Sequence, residues 1–466
     1  MNLQTYINLL TSNQITPKEL VEASIKKIND LDQTINAVVE ERFELALKEA
    51  DKDYSQTMFK GIPILIKSLG QNLKGEPSTG ASKLLKTSIS KTTDNFVAKI
   101  IELGFIIIGQ TSSPEFGFKN ITDSSLYGDV KNPLDLTKTA GGSSGGAAAA
   151  LVADYVPVVA ASDGGGSIRI PASYTGLVGL KPSRGSMPTG PTNYRGWQGA
   201  SVNFFLTKTV NDSELLFNAM KTNVVYAPFN YVQADIKVSK KLKIAYSLKS
   251  PVNTKVSQDA KTAILKTVKA LEKLGHTVVK ANPNYDGFKL MESYYLVNGV
   301  ETAAMIKNIE TSLNRKVTID EIEPISWVLY QYGLSIKGFE MVEALNYWDQ
   351  TSHIMNEFHQ QYDLFLTPTT ATVAPDLQKE YINKNLIEKM HNIESISNKY
   401  EIVWKMFEKS LAHTPYTMLA NITGQPALSL PLHQNDDGLP LGVQFMANKG
   451  EEDLLFEIAR QLTKDL

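Results

Sequence analysis

Apolar positions recur along the chain in two rhythms, and glycine separates them. Thr16-Pro17-Lys18-Glu19 forms a capping box with proline at the first helical position. Leu20, Val21, Ile25, Ile28 and Leu31 then share one face, which predicts a helix to about residue 31. The short run Ile62-Pro63-Ile64-Leu65-Ile66 follows Gly61 and ends at Lys67, which predicts a buried strand. Asn95 to Leu103 returns to the helical period, Gly104 stops it, and Phe105-Ile106-Ile107-Ile108-Gly109 reads as a second buried strand. Helix, glycine and apolar strand in that order are the punctuation of an α/β protein.

The alternation resumes further on. Residues 243–246 (KIAY), a helical pattern over about 259–274 and residues 276–279 (HTVV) form a βαβ candidate. Long helical patterns occupy roughly 287–312 and 340–360. Residues 363–368 (DLFLTP), 426–431 (PALSLP) and 441–446 (LGVQFM) read as strands, and a last helix opens near Glu451. No internal repeat, low-complexity linker or charge run interrupts the pattern. One domain over 1–466 is the simplest organisation, with a helical portion at about 285–362.

Composition narrows the function classes. A net charge of −2 with 21% charged residues gives no large single-sign field, so neither a nucleic-acid partner nor polybasic membrane binding is expected. The absence of cysteine excludes disulfides, thiol nucleophiles and cysteine-ligated metals. No stretch reaches the roughly 18 apolar residues that span a bilayer. The start MNLQTYINLL lacks the basic region of a secretory signal, so a cytoplasmic location is expected.

Residues 139–169 (TAGGSSGGAAAALVADYVPVVAASDGGGSIR) hold seven glycines and four serines. Backbone this rich in glycine marks a close approach or positive φ. A phosphate cradle would need G-x-x-x-x-G-K-[ST], or G-x-G-x-x-G between a strand and a helix, and neither is present. The nucleophile elbow G-x-S-x-G is matched twice in overlap, on Ser143 and on Ser144. No apolar strand precedes it, however, and none of the six histidines stands in a telling context.

Taken singly, a lysine after an apolar run reaches for solvent, GGSSGG is a flexible loop and GGGS is a turn. Together, Lys67 closing IPILIK, Ser143-Ser144 in GGSSGG and Ser167 in DGGGSIRIPAS resemble the amidase signature family of Ser-Ser-Lys amide hydrolases. The resemblance spans nearly the whole chain. ITPKELVEASIKKI, GQTSSPEFG, GLKPSRG, DLFLTPTT, NITGQPALSLPL and GLPLGVQF fit it in order.

The resemblance implies an α/β fold with a large mixed central β-sheet covered by helices on both faces, its signature core at about 60–210. It implies hydrolysis of a small-molecule amide with no cofactor and no metal, and it leaves a homodimer open. Ser167 is the implied nucleophile. Ser143, after a cis peptide at Gly142–Ser143, would bridge it to Lys67. With no cysteine and no placed histidine, lysine is the side chain left to act as base, provided its pKa of about 10.4 is lowered; burial behind 62–66 offers that desolvation. Backbone N–H groups of Gly164, Gly165, Gly166 and Ser167 are the implied oxyanion donors. Ser144, Asp163 and Arg169 would fix the loop, and Lys181 and Arg184 would serve packing.

Two positions depart from the family pattern: Ser68 stands where relatives commonly carry Asp, and Gly164 where they often carry Thr or Ile. Ile170 stands where the A subunits of tRNA-dependent amidotransferases typically carry glutamine. That favours a stand-alone amidase over a glutamine-hydrolysing subunit, which is the alternative. A catalytically silent scaffold is the alternative of another class, and retention of Lys67, Ser143 and Ser167 together argues against it. Residues 187–206 are expected to border the substrate pocket.

Overall fold

The computed structural model describes residues 1–235, 241–377 and 379–463. Eleven strands form one sheet: β1 (Val38–Glu41), β2 (Pro63–Lys67), β3 (Ile106–Thr111), β4 (Val158–Asp163), β5 (Val178–Lys181), β6 (Val202–Thr207), β7 (Lys243–Tyr246), β8 (Thr277–Lys280), β9 (Leu364–Pro368), β10 (Ala427–Gln434) and β11 (Pro440–Met446). Their order across the sheet is β1-β3-β2-β4-β6-β5-β10-β11-β9-β7-β8. The pairs β3–β2, β2–β4, β9–β7 and β7–β8 are parallel, and β1–β3 and every pair from β4 through β6, β5, β10 and β11 to β9 are antiparallel. Every residue of β2, β3, β9 and β11 is buried, on both pleat faces, so the sheet is covered on both sides. The helix Gly145–Val152 packs on β2, β3 and β4, and the helix Gln258–Lys273 on β8 to β11.

The capping box at Thr16 is fully made. The Thr16 N–H donates to Glu19 Oε2 at 2.8 Å and the Glu19 N–H to Thr16 Oγ1 at 3.2 Å. The helix runs Pro17–Ile35, one turn beyond the predicted end, because Ile35 continues the buried face and the left-handed Asn36 stops it. Strand β6 falls inside the segment expected at the pocket, and its Phe204, Phe205 and Leu206 enter the main core instead.

A second apolar cluster takes in Ala245, Phe365, Ala427 and Met446 from the sheet. It gathers Tyr295, Leu329, Trp348, Phe407 and Met418 from the helices Gly287–Leu313, Pro324–Ser335, Gly338–His359, Lys399–Leu411 and Met418–Thr423. The helical portion therefore continues past residue 362. Among the described residues no helix is long and apolar enough to cross a membrane.

Candidate active site

Strand β2 delivers Lys67 to its carboxyl end, where the side chain is 1% exposed. Its Nζ lies 2.8 Å from Ser143 Oγ and 3.0 Å from Ser162 Oγ, and among the described residues no carboxylate pairs with it directly. Burial pulls the ammonium from 10.5 down to about 7, against the pull of the Asp163 charge. A large share of the lysine is thus neutral near neutral pH, with a free lone pair beside a serine hydroxyl. The Gly142–Ser143 peptide is cis. A Cβ on Gly142 would lie 2.5 Å from Ile121 O, so only glycine lets this loop pass the neighbouring backbone.

The loop that carries Ser167 leaves β4 at Asp163 and enters the helix Arg169–Thr175. Asp163 is fully buried and organises it. Its carboxylate accepts N–H groups from Gly166 at 2.7 Å, Ile168 at 3.2 Å and Arg169 at 3.4 Å. Arg169 grips it through Nε and Nη2, each at 2.9 Å, and Asn421 Nδ2 adds a bond at 2.8 Å. Burial alone would raise this carboxyl, but the Arg169 charge and these donors outweigh it and hold it at about 2. Arg169 also donates to Gln444 Oε1 at 2.6 Å and Asn421 Oδ1 at 2.7 Å, so the buried guanidinium is well partnered.

This arrangement separates the expected oxyanion donors. The Gly166 N–H is taken by Asp163, Gly166 itself is buried, and it does not line the cavity described below. Of the four expected donors, Gly166 is thus the one whose N–H the loop-shaping carboxylate already occupies. Among the described residues the N–H groups of Gly164, Gly165 and Ser167 have no protein acceptor, and all three residues line the cavity.

Ser143 and Ser167 line that same cavity, yet no hydrogen bond joins their hydroxyls among the described residues. In hydrolases such contacts often tighten only around the substrate. Ser144 ties the two loops together, its N–H donating to Ser167 O at 3.2 Å and its Oγ to Ser162 O at 3.1 Å. Ser68 shares a hydrogen bond with Ser113 at 3.1 Å. Lys181 donates to Pro182 O at 2.7 Å, and Arg184 donates to the carbonyls of Gly199, Asn421 and Ile422. Ile170 is fully buried in a small cluster with Tyr174 and Ala374.

Four contributors were not singled out from the sequence. Ser162 lies on β4 beside Lys67; Asn421, Thr417 and Tyr294 come from more than 120 residues downstream of the loop they touch. Asn421 opens the NITGQPALSLPL motif, which was its only local signal.

The cavity has a volume of about 330 Å³. One side is the two serine loops. A second part of the lining is largely apolar, with Tyr294, Tyr295, Met305, Phe407 and Met418, and Phe118 and Trp197 belong to the same apolar cluster as these. Residues 187–203 supply much of the rim, and Arg195 stands there over Phe229, 5.8 Å from the ring centre.

The Amidase family model matches residues 19–456. The chain belongs to the amidase family of amide carbon–nitrogen hydrolases. Among its relatives in that family, the lipoamidase of Enterococcus faecalis is 38% identical over 454 residues, 97% of this chain and 61% of the relative, so this chain spans about three fifths of that protein's length. The 6-aminohexanoate-cyclic-dimer hydrolase of Paenarthrobacter ureafaciens is 30% identical over 470 residues, 97% of this chain and 92% of the relative. A solved structure of 6-aminohexanoate cyclic dimer hydrolase complexed with substrate matches with a TM-score of 0.91 at 27% identity, over 100% of this chain and 96% of that one. A bacterial aryl acylamidase at 24% identity shares the fold with a TM-score of 0.84.

Proposed function

We propose that this amidase-family chain cleaves a carboxylic amide through a Ser167 acyl-enzyme, with Lys67 as base and Ser143 as relay. The observation that carries the reading is the 2.8 Å contact between Ser143 Oγ and a buried lysine whose pKa is drawn to about 7. Ser167 Oγ attacks the carbonyl carbon while its proton passes to Ser143, whose own proton goes to neutral Lys67 Nζ. The carbonyl electron pair moves to oxygen, where the N–H groups of Gly164, Gly165 and Ser167 receive the negative charge. Collapse of the tetrahedral species breaks the C–N bond, and the proton returns from Lys67 through Ser143 to the leaving nitrogen. Water then repeats the sequence on the ester and releases the acid.

Asp163, Arg169 and Ser144 hold the loop in this reading and transfer no proton. The aromatic wall favours an acyl group of medium length and low polarity, in keeping with relatives named for lipoamide and for a 6-aminohexanoate dimer. The test is peptide mapping by mass spectrometry after treatment with a fluorophosphonate. The expected adduct lies on Ser167, is absent in Ser167→Ala and forms far more slowly in Lys67→Ala and Ser143→Ala. An adduct on Ser143 or Ser144, or none on folded protein, would overturn the reading.

A further inference from the structure

We infer that Tyr294, from the helical portion, is a positioning residue for the oxyanion-binding loop, aiming the Gly165 N–H through its hold on the Gly164 carbonyl. This rests on the reading of Ser167 as nucleophile. It follows from an account of the loop peptides one by one. A trans peptide is planar, with C=O and N–H pointing in opposite directions, so fixing the oxygen fixes the direction of the N–H. Among the described residues only Gly142–Ser143 and Gly190–Pro191 are cis, so every peptide of this loop is trans.

Three loop peptides present an N–H without a protein acceptor, and each has its oxygen held by a different partner. The Asp163 oxygen accepts from Asn421 Nδ2 at 3.0 Å, which sets the Gly164 N–H. The Gly166 oxygen accepts from the Ile170 N–H at 2.7 Å, which sets the Ser167 N–H. The Gly164 oxygen accepts from the Tyr294 hydroxyl at 3.0 Å, and this sets the Gly165 N–H. The first two partners are built into the Asp163 cluster and the helix that follows the nucleophile. The third comes from the helix Gly287–Leu313, outside the Asp163 cluster.

The remaining peptide makes the contrast clear. The Gly165 oxygen accepts from Thr417 Oγ1 at 2.6 Å while the Gly166 N–H goes to Asp163, so that peptide is pinned at both ends and offers nothing to substrate. Thr417 therefore locks the loop, whereas Tyr294 orients a donor left free to act. Gly165 is shaped to receive it: a Cβ there would lie 2.4 Å from the Tyr294 hydroxyl oxygen. Burial pushes the phenol up to about 12, so it keeps its proton to donate across the working range of pH.

Tyr294 also lines the cavity, so its ring and its hydroxyl must be tested apart. Tyr294→Phe keeps the ring and removes the hydroxyl. Loss of a whole oxyanion donor costs about 100- to 1000-fold in kcat, and a donor merely released from its aim should cost less, about 10- to 50-fold. The experiment compares wild type and Tyr294→Phe in kcat, KM, melting temperature and the inhibition constant of a trifluoromethyl ketone, whose adduct with Ser167 bears an oxyanion. The expected result is lower kcat with KM within about twofold, unchanged melting temperature, and ketone binding weakened by the same factor as kcat/KM. Unchanged ketone affinity, or a loss confined to KM, would overturn the inference and leave Tyr294 as wall only. A wild-type protein that forms no ketone adduct on Ser167 would instead sink the proposed function, so the two failures read differently.

Discussion

Two sides of one cavity are built on opposite principles. On the signature side, polar groups hold one another: Asp163 collects N–H groups from Gly166, Ile168 and Arg169, and Arg169 answers with its guanidinium and extends to Gln444 and Asn421. On the helical side the surface is aromatic and thioether, and among the described residues the buried Oδ1 of Asn298 has no hydrogen-bond partner. A satisfied buried network has few alternative arrangements, since moving one member strands several others. An apolar wall tolerates exchange of side chains at modest cost. On the proposed reading the reacting groups stand on the signature side and the acyl group is selected on the helical side, with Tyr294 inferred to link the two.

The largest effect should come from the signature side. Removing the proposed nucleophile in Ser167→Ala, or the proposed base in Lys67→Ala, should lower kcat by at least about 10⁴-fold with little change in melting temperature, as for other hydrolases whose reacting groups act as a unit. Steady-state kinetics on the best amide found, beside a thermal melt, checks both. A wall substitution with an effect this large would erase the contrast between the two sides.

Next comes the support beneath the loop. Arg169→Ala leaves the buried Asp163 carboxylate without its cation and should cost about 3–5 kcal/mol of stability, read as a shift in the denaturant midpoint. The same pair sets an acid limit. Because the Asp163 carboxyl sits near 2, below its ordinary 3.8, its contribution is present above about pH 4 and is lost as pH falls toward 2. Asp163→Asn should therefore remove that part of the acid dependence, a change that stability curves at pH 3 and pH 6 would register.

The smallest effect belongs to the wall. Phe118→Ala opens the cavity beside Trp197, and kcat/KM for long apolar acyl amides should fall about 5- to 20-fold while short acyl amides change little. A uniform fall across chain lengths would show that Phe118 supports the serine loops and would blur the boundary between the two sides.

The same contrast explains what could be read from the residues alone. The strands around Lys67 were legible because each is a short apolar run that follows a glycine, Gly61 or Gly104, and the helix at Thr16 because its cap is written in four consecutive residues. The glycine clusters pointed to close backbone approach, which Gly142 against Ile121 and Gly165 against Tyr294 display. The helices Pro324–Ser335 and Lys399–Leu411 were missed. In Pro324–Ser335 eight of the twelve residues are buried, so the apolar period that marks a one-sided helix is blurred. The partners of the Ser167 loop were missed for a different reason: Asn421 lies 258 residues from Asp163 and Thr417 lies 252 from Gly165, and no local pattern encodes a hydrogen bond at that separation. Ser162 was in view within VAASD, but its contact with Lys67 needs the parallel pairing of β2 and β4.

The central claim is that a buried lysine, neutral near neutral pH, is the base. The most direct measurement is the pre-steady-state rate of Ser167 acylation as a function of pH, in wild type and in Lys67→Ala. Burial lowers Lys67 to about 7, so the rate should rise with pH through a single ionisation near 7 and level off above it, and that ionisation should be missing from the residual rate of Lys67→Ala. An ionisation near the ordinary lysine value of 10.5, or a profile that survives unchanged in Lys67→Ala, would contradict the account.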